Sequence, residues 1–117
     1  GSFSVAATPS LISLIYNVTK DVPYPGTKDT LYDNWSKFVA VLGSGSDYTS
    51  FLHHFGIPAL NLEFDGPYGV YHSEYDSMHW MEMFGDPSFN FYVTLSQAYG
   101  LIGLRLSDYN VIPFNYT

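Results

Sequence analysis

The sequence predicts an α/β fold in which helices are layered on a largely parallel sheet. Short apolar runs of strand length alternate with segments of helical periodicity, and 46% of the 117 residues are hydrophobic. Alternating strands and helices are typical of a sheet covered by helices. Only two or three strands are in view, whereas a parallel sheet needs cover on both faces. We therefore expect one incomplete domain that forms part of a larger one.

The first half of the chain predicts a strand, a helix and a second strand. Ser2–Ala7 alternates and is rich in small and β-branched residues, as half-buried strands are. Thr8 followed by Pro9 predicts an N-cap and the first helical position. This helix ends before Pro23, because the residue preceding a proline avoids the helical region. The apolar run at 37–42 has the length of a buried strand.

The second half predicts a helix, a strand and two further helices. A helix begins at Ser46 or Asp47 and ends at Gly56, a natural C′ glycine. A strand follows at 57–64, with Pro58 at its start, where a missing N–H matters least. A short helix is expected at 77–84. The last helix, 88–107, has almost no charge, so we expect it to be packed on nearly all sides.

The charge balance and the missing cysteines exclude several classes of function. Four basic residues against eleven acidic ones give a net charge of −7, which argues against nucleic-acid partners and anionic membrane surfaces. The absence of cysteine excludes disulfide scaffolds, thiolate zinc sites and cysteine nucleophiles. No apolar run reaches the roughly 18–20 residues of a membrane span, and no signal-peptide pattern is present.

Three Asn-x-Ser/Thr sequons occur, at Asn17, Asn34 and Asn115. About one is expected by chance in a chain of this length, so three favour glycosylation and a lumenal, vacuolar or extracellular location. Coincidence is the alternative. With no signal peptide in view, an extracytoplasmic location implies that the natural N-terminus lies upstream. The opening Gly1-Ser2 can equally be a cloning scar.

Three segments are candidates for chemistry. The glycine-serine loop at 43–47 lies between a strand and a helix, either as a ligand loop or as an ordinary turn. His53 and His54 are adjacent, so on a helix they point about 100° apart and cannot grip one ion; we expect one in the core and one in water. The segment at 71–76 follows a strand and a glycine turn, where α/β sheets bind ligands. Its His72 is a possible zinc ligand, but zinc needs three or four.

These segments together resemble the zinc metallopeptidases related to glutamate carboxypeptidase II, and more distantly the transferrin receptor ectodomain. The resemblance covers essentially the whole chain. Each motif is weak alone, but their order and spacing are specific. The motifs are TPSL at 8–11, YNVTK at 16–20, LGSGSDY at 42–48, FGIP at 55–58, YHSEYD at 71–76, FGDP at 84–87 and IPF at 112–114.

The resemblance implies a three-layer α/β/α zinc-exopeptidase fold with a mostly parallel, mixed sheet and a pair of zinc ions as cofactors. His72 matches the final zinc ligand of these enzymes. Tyr71 matches a tyrosine that donates a hydrogen bond to the tetrahedral intermediate, an oxyanion-stabilising role. Ser44, Gly45 and Ser46 match the loop that lines the substrate cleft.

The resemblance also has departures. Ser46 stands where glutamate carboxypeptidase II has asparagine, and Asn61 and Glu63 stand where it has an arginine pair that binds the substrate carboxylate. A preference for C-terminal glutamate is therefore not expected. The transferrin receptor has lost the metal histidine, whereas His72 is present here, which favours an enzyme over a non-catalytic binding or sorting protein.

The family's other zinc ligands and its general base precede the part matched by this chain. The resemblance thus implies the C-terminal portion of a peptidase domain, inactive in isolation, whose parent hydrolyses small peptides. The remaining part of that domain is then an obligate partner. A following helical domain would make the parent a homodimer, and a membrane anchor is expected upstream.

Overall fold

The computed structural model describes residues 1–116, which form a three-stranded sheet and four α-helices. A 3₁₀ turn, Pro9–Leu11, leads into α1, and α3 continues as a π-helical turn, Met81–Gly85. In chain order the elements are β1 (Ser2–Ala7), α1 (Ile12–Thr19), β2 (Val39–Ala40), α2 (Tyr48–Phe55), β3 (Leu60–Asp65), α3 (Met78–Trp80) and α4 (Asn90–Asp108).

The sheet is mixed, with β1 at its centre in the order β2-β1-β3. Val5 pairs with Val39 in parallel, whereas Ser2 pairs with Asp65 in an antiparallel register that runs the length of β3. The expected α/β class and mixed sheet are confirmed, but only one of the two strand pairs is parallel. The C-terminal ends of β1 and β2 therefore lie at the same end of the sheet as the start of β3, and β3 finishes at the opposite end.

One face of the sheet and two helices form the core. The alternate residues Phe3, Val5 and Ala7 of β1 are buried, as its alternating pattern predicts. They pack against α1 and α4, whose apolar stripes follow helical spacing. Besides β1, the buried cluster consists of Leu11, Leu14, Ile15, Val18, Val22, Leu31, Trp35, Leu62, Ala98 and Ile102.

The second strand is shorter and more exposed than the sequence predicts. Only Val39–Ala40 pairs with β1, while Phe38 and Val41 are 71% and 92% exposed. Lys37 has a φ of 63°, which interrupts the extended backbone just before the strand. The expectation of a buried strand at 37–42 is therefore wrong for this chain, because β2 is an edge strand that pairs on one side within residues 1–116.

The predicted helix boundaries are confirmed at two positions, whereas one strand begins later than expected. Thr8 is the N-cap residue of the first helical segment and Pro9 opens it, as predicted. The Thr8 hydroxyl does not bond to the helix; it accepts a hydrogen bond from the Ala59 N–H at 2.9 Å and donates to the Ala59 carbonyl at 3.2 Å. Gly56 ends α2 in the left-handed conformation, as predicted. β3 begins at Leu60, three residues later than expected.

The last helix is anchored at both ends but is not enclosed. The buried Asp86 carboxylate accepts a hydrogen bond from the Tyr92 N–H at 3.0 Å, and Arg105 forms an ion pair with Asp21 beyond the end of α1. Val93 and Leu104 are exposed. The expectation that α4 is packed on nearly all sides is therefore wrong within residues 1–116. No helix in this part of the chain is long and apolar enough to cross a bilayer.

One tyrosine of α4 hydrogen-bonds to the outer side of β3 at its middle. The Tyr99 hydroxyl accepts a hydrogen bond from the Leu62 N–H at 2.8 Å and donates one to the Leu62 carbonyl at 3.1 Å. Leu62 is buried, so water does not readily replace these bonds. A single side chain thus satisfies both backbone groups of Leu62.

Tyr99→Phe should lower the free energy of unfolding by about 1–3 kcal/mol, because a buried N–H and a buried carbonyl lose their partner. Tyr109→Phe, at the exposed end of α4, is the matched control and should change it by less than about 0.5 kcal/mol. Urea unfolding followed by circular dichroism measures both. Equal midpoints and slopes for the two variants would contradict a stabilising role for Tyr99.

Candidate functional site

The segment that follows β3 folds into two successive turns. The Ser73 N–H donates to the Val70 carbonyl at 3.0 Å, and the Asp76 N–H donates to the Ser73 carbonyl at 3.1 Å. The Ser73 hydroxyl adds a bond of 2.6 Å to the same Val70 carbonyl. The first turn therefore spans residues 70–73, with Tyr71 and His72 as its two central residues.

His72 has a backbone conformation that its residue type disfavours. Its φ is 58°, at a turn position usually occupied by glycine or asparagine. A left-handed residue other than glycine costs on the order of 1 kcal/mol and persists where surrounding contacts enforce it. Such residues cluster at functional sites; Lys37 and Phe89 share the conformation, and of the three only His72 lies in the motif.

Aromatic rings surround this turn. The Tyr71 ring is stacked on the His72 imidazole, with centroids 3.9 Å apart and planes 17° from parallel. The Tyr68 ring lies 5.9 Å from Tyr71 and 5.0 Å from Trp80. Tyr71 is 64% exposed, so its side chain is open to solvent. The Tyr68, Tyr71 and Trp80 rings line one side of a groove of about 710 Å³ between the end of β3 and α3.

The groove is acidic. Glu63 and Asp65, at the end of β3, line it together with Tyr71, and no lysine or arginine side chain in residues 1–116 does so. The interaction of the Tyr68 hydroxyl with the Asp76 carboxylate, followed by desolvation, raises the pKa of Tyr68 to about 12. Tyr68 is therefore a neutral hydrogen-bond donor at physiological pH.

Tyr68 and Trp80 are the site residues that sequence reasoning missed. Tyr68 precedes Tyr71 by three positions, and Trp80 lies in α3. The sequence signal that could have identified them is the presence of three aromatic residues around the histidine motif. In a chain with 19% aromatic residues, however, that signal does not distinguish a groove wall from an ordinary core.

The serine-glycine loop lies elsewhere on the sheet. This loop follows β2. Ser44, Gly45 and Ser46 therefore leave the sheet at the end of the strands opposite to the end of β3. The Ser46 N–H donates to the Thr49 hydroxyl at 3.3 Å, which ties the loop to the start of α2. Within residues 1–116 no hydrogen bond or ring contact joins these three residues to Tyr71 or His72.

The paired histidines of α2 are both exposed. His53 lies with its Nε2 2.8 Å from the Gly43 carbonyl oxygen, and His54 faces solvent. The expectation that one of them lies in the core is wrong, because the described part of the chain leaves most of α2 uncovered.

His72 suits zinc chemically but is insufficient alone. An exposed imidazole is a common zinc ligand, and a zinc site needs three or four such groups. No three histidine, cysteine, aspartate or glutamate side chains in residues 1–116 are grouped so that they could hold a metal ion. The residues described here therefore do not by themselves fit a zinc ion.

The sequon asparagines differ in their surroundings. Asn17 is exposed on α1. Asn34 is exposed in the loop before β2, where its side-chain amide donates to the Thr30 carbonyl at 3.3 Å. The Asn115 amide donates to the Ser13 hydroxyl at 3.0 Å, and Thr117, which completes this sequon, lies outside the described residues.

Comparison with known proteins identifies relatives whose names match the family that the motifs resemble. The chain is 43% identical to "Probable glutamate carboxypeptidase LAMP1" of Arabidopsis thaliana, over 98% of its own length and 18% of that protein. It is 32% identical to "Aminopeptidase NAALADL1" of Rattus norvegicus, over 92% of its length and 17% of the relative. It is 33% identical to "Vacuolar protein sorting-associated protein 70" of Saccharomyces cerevisiae, over 97% of its length and 15% of the relative.

The chain is homologous to a segment of the glutamate carboxypeptidase-like proteins. This homology confirms the family resemblance inferred from the motifs. No family model matches the chain. The chain spans less than a fifth of the length of these relatives, and two of the three carry peptidase names.

Proposed function

We propose that this chain is part of a zinc exopeptidase, to which it contributes one metal ligand, His72, and one hydrogen-bond donor, Tyr71. The observation that carries the proposal is the exposed, stacked Tyr71-His72 pair on a strained turn beside a groove. The homology to proteins named carboxypeptidase and aminopeptidase supports it. Alone, the chain would be inactive because it has too few ligands.

The two residues have different roles in peptide hydrolysis. When bound, the metal would act as a Lewis acid and lower the pKa of water. His72 would hold it through an imidazole nitrogen. The Tyr71 hydroxyl would donate a hydrogen bond to the carbonyl oxygen that gains negative charge as the peptide is attacked. The assignment of Ser44, Gly45 and Ser46 to substrate binding rests on the family resemblance alone, because their loop leaves the sheet at the end opposite to the end of β3.

The remaining part of the peptidase domain is the proposed partner. Large apolar side chains of this chain remain exposed on several sides, and exposed apolar patches mark contact surfaces. A surrounding domain would cover them and supply the missing zinc ligands. Among the most exposed are Phe38, Val41, Phe55, Phe84 and Leu104.

An extracytoplasmic location and a homodimeric, membrane-anchored parent belong to the same proposal. Asn17 and Asn34 support the location, because both are exposed and accessible to glycosylation. The dimer and the anchor rest on the family resemblance alone.

A non-catalytic binding or sorting protein is the second candidate. The match to a protein named for vacuolar protein sorting favours it, and a retained His72 would then have no catalytic role. Zinc-dependent hydrolysis of small peptides by the parent protein separates the two candidates, because a sorting protein would show none.

The isolated chain should bind zinc weakly or not at all. One imidazole in water gives little affinity when the other ligands are absent. Isothermal titration of the chain with zinc chloride measures this directly, and His72→Ala should leave the weak signal almost unchanged. One tight, stoichiometric site would mean that His53, His54 or His79 joins His72, contrary to the ligand assignment.

In the parent protein, His72→Ala should abolish hydrolysis with little loss of folding, because the side chain is exposed. Tyr71→Phe should lower kcat more than it raises KM, since a donor to the oxyanion acts mainly in the transition state. Loss of one such donor costs on the order of 10²–10³ in rate. His79→Ala, on the exposed side of α3, is the matched control and should retain full activity. Wild-type rates for Tyr71→Phe would remove Tyr71 from the mechanism.

The parent should prefer neutral or apolar residues to glutamate at the position that contacts this groove. Binding a carboxylate needs fixed positive charge, ideally arginine, whereas Glu63 and Asp65 line the groove. The measurement is kcat/KM for dipeptides that end in glutamate, leucine or methionine. Glu63→Gln should improve glutamate relative to leucine.

A wild-type preference for glutamate of about tenfold or more, equal to about 1.4 kcal/mol of differential transition-state binding, would refute this specificity.

A further inference from the structure

The groove beside the Tyr71-His72 pair has a wall of aromatic rings. The Tyr68 ring contacts those of Tyr71 and Trp80, with centroid distances of 5.9 and 5.0 Å. The ring planes are tilted by 51° and 55° in these two contacts, so the rings do not stack face to face and cover one another. Tyr68 and Tyr71 are 39% and 64% exposed. This aromatic wall is therefore accessible to solvent.

Two carboxylates lie on the strand side of the same groove. Glu63 and Asp65 are two positions apart on β3, so both side chains point to the same side of the strand. Both are exposed and both line the groove. Arg105 and Asp21 form the only ion pair in residues 1–116. Neither groove carboxylate is therefore paired with a cation, although the terminal residue Gly1 also lines the groove.

Rings and carboxylates together are complementary to a cation with an apolar stem. The faces of tryptophan and tyrosine rings attract ammonium and guanidinium groups, and the methylene stems of lysine and arginine pack along apolar surfaces. The net charge of −7 favours the approach of a cation to the whole chain. The groove volume of about 710 Å³ lies within the range of small-molecule sites.

We infer that the groove binds a basic side chain, lysine or arginine, of the peptide substrate. Glu63 and Asp65 would balance its charge, and the aromatic wall would contact its stem. These two acids are specificity-determining residues, because they meet the substrate's side chain and not the bond that is cleaved. Basic residues then rank first, uncharged residues second and glutamate last. The word substrate rests on the proposed function, whereas binding of a basic side chain in the groove does not.

The first test measures the binding of amino-acid probes to the 117-residue chain by NMR spectroscopy. The probes are the N-acetyl amides of lysine, norleucine and glutamate, which differ chiefly in the charge at the end of the side chain. The terminal amine of the chain is acetylated, so that its own ammonium group does not compete. The lysine probe should shift the Trp80 and Tyr68 ring resonances in a saturable way. Its dissociation constant should be at least about fivefold below that of norleucine.

Charge-removing variants then assign the binding to the groove. Glu63→Gln and Asp65→Asn should each lower the affinity ratio of lysine to norleucine by about twofold to fivefold, the range of exposed ion pairs. Glu82→Gln is the matched control, because it makes the same change in net charge at an exposed residue that does not line the groove. It should leave the ratio unchanged.

Three results of this titration would each overturn the inference. They are the absence of a saturable shift with lysine, equal dissociation constants for lysine and norleucine, and an equal loss of lysine preference in Glu63→Gln and Glu82→Gln.

The second test is kinetic and uses the parent protein. It compares kcat/KM for two dipeptide series, in which lysine, norleucine or glutamate occupies either the first or the second position. In the series whose variable residue reaches the groove, lysine should exceed norleucine by about fivefold or more. Glu63→Gln should lower this ratio by about twofold or more. In an active parent, the absence of a lysine preference in both series would overturn the role in substrate choice.

The two tests separate failure of this inference from failure of the proposed function. A parent that hydrolyses no dipeptide even as wild type refutes the exopeptidase proposal, and the titration alone then decides whether the groove binds a basic side chain. An active parent with no lysine preference, together with a chain that does not bind the lysine probe, refutes the basic site and leaves the peptidase proposal standing.

Discussion

The structure depends on the pairing of β1 with strands on both of its sides. Its buried residues Phe3, Val5 and Ala7 contact the helices, and its backbone holds β2 and β3. The antiparallel partner of Ser2 is Asp65, more than sixty positions away, so this pairing brings distant parts of the chain together. It also determines where β3 ends, and therefore where the loop with Tyr71 and His72 leaves the sheet. Without this register, the residues of β3 that line the groove would have no fixed position.

Much of the local structure could be predicted because its causes are local. The alternation of Ser2–Ala7, the proline that opens the first helical segment and the left-handed Gly56 all act within a few residues. The features that escaped prediction have causes that the local sequence pattern does not show. Thr8 is the N-cap residue as predicted, but its hydroxyl bonds to Ala59 instead of to the helix. β2 is short because Lys37 breaks the extended backbone and its outer side has no partner within residues 1–116.

The residues of the candidate site also divide into those that the sequence could identify and those that it could not. The Tyr71-His72 motif could be found from the sequence because its residues are adjacent and their order is specific. Tyr68 and Trp80 could not be assigned, because their relation to the motif depends on the turns after β3 and on the start of α3. Glu63 was identified from a matched position, and the structure adds that it lines the same groove as Tyr71. The loop with Ser44 and Gly45 leaves the sheet at the end opposite to the end of β3. The order of the motifs in the sequence does not reveal this separation.

The two outer edges of the sheet are not equivalent. Along β3 the Tyr99 hydroxyl occupies both backbone groups of Leu62, so a further strand cannot hydrogen-bond there without displacing it. Along β2 only two residues pair, and Phe38 and Val41 lie exposed beside them. A further strand could therefore pair along β2 without displacing a side chain, whereas at Leu62 of β3 it would have to displace the Tyr99 hydroxyl.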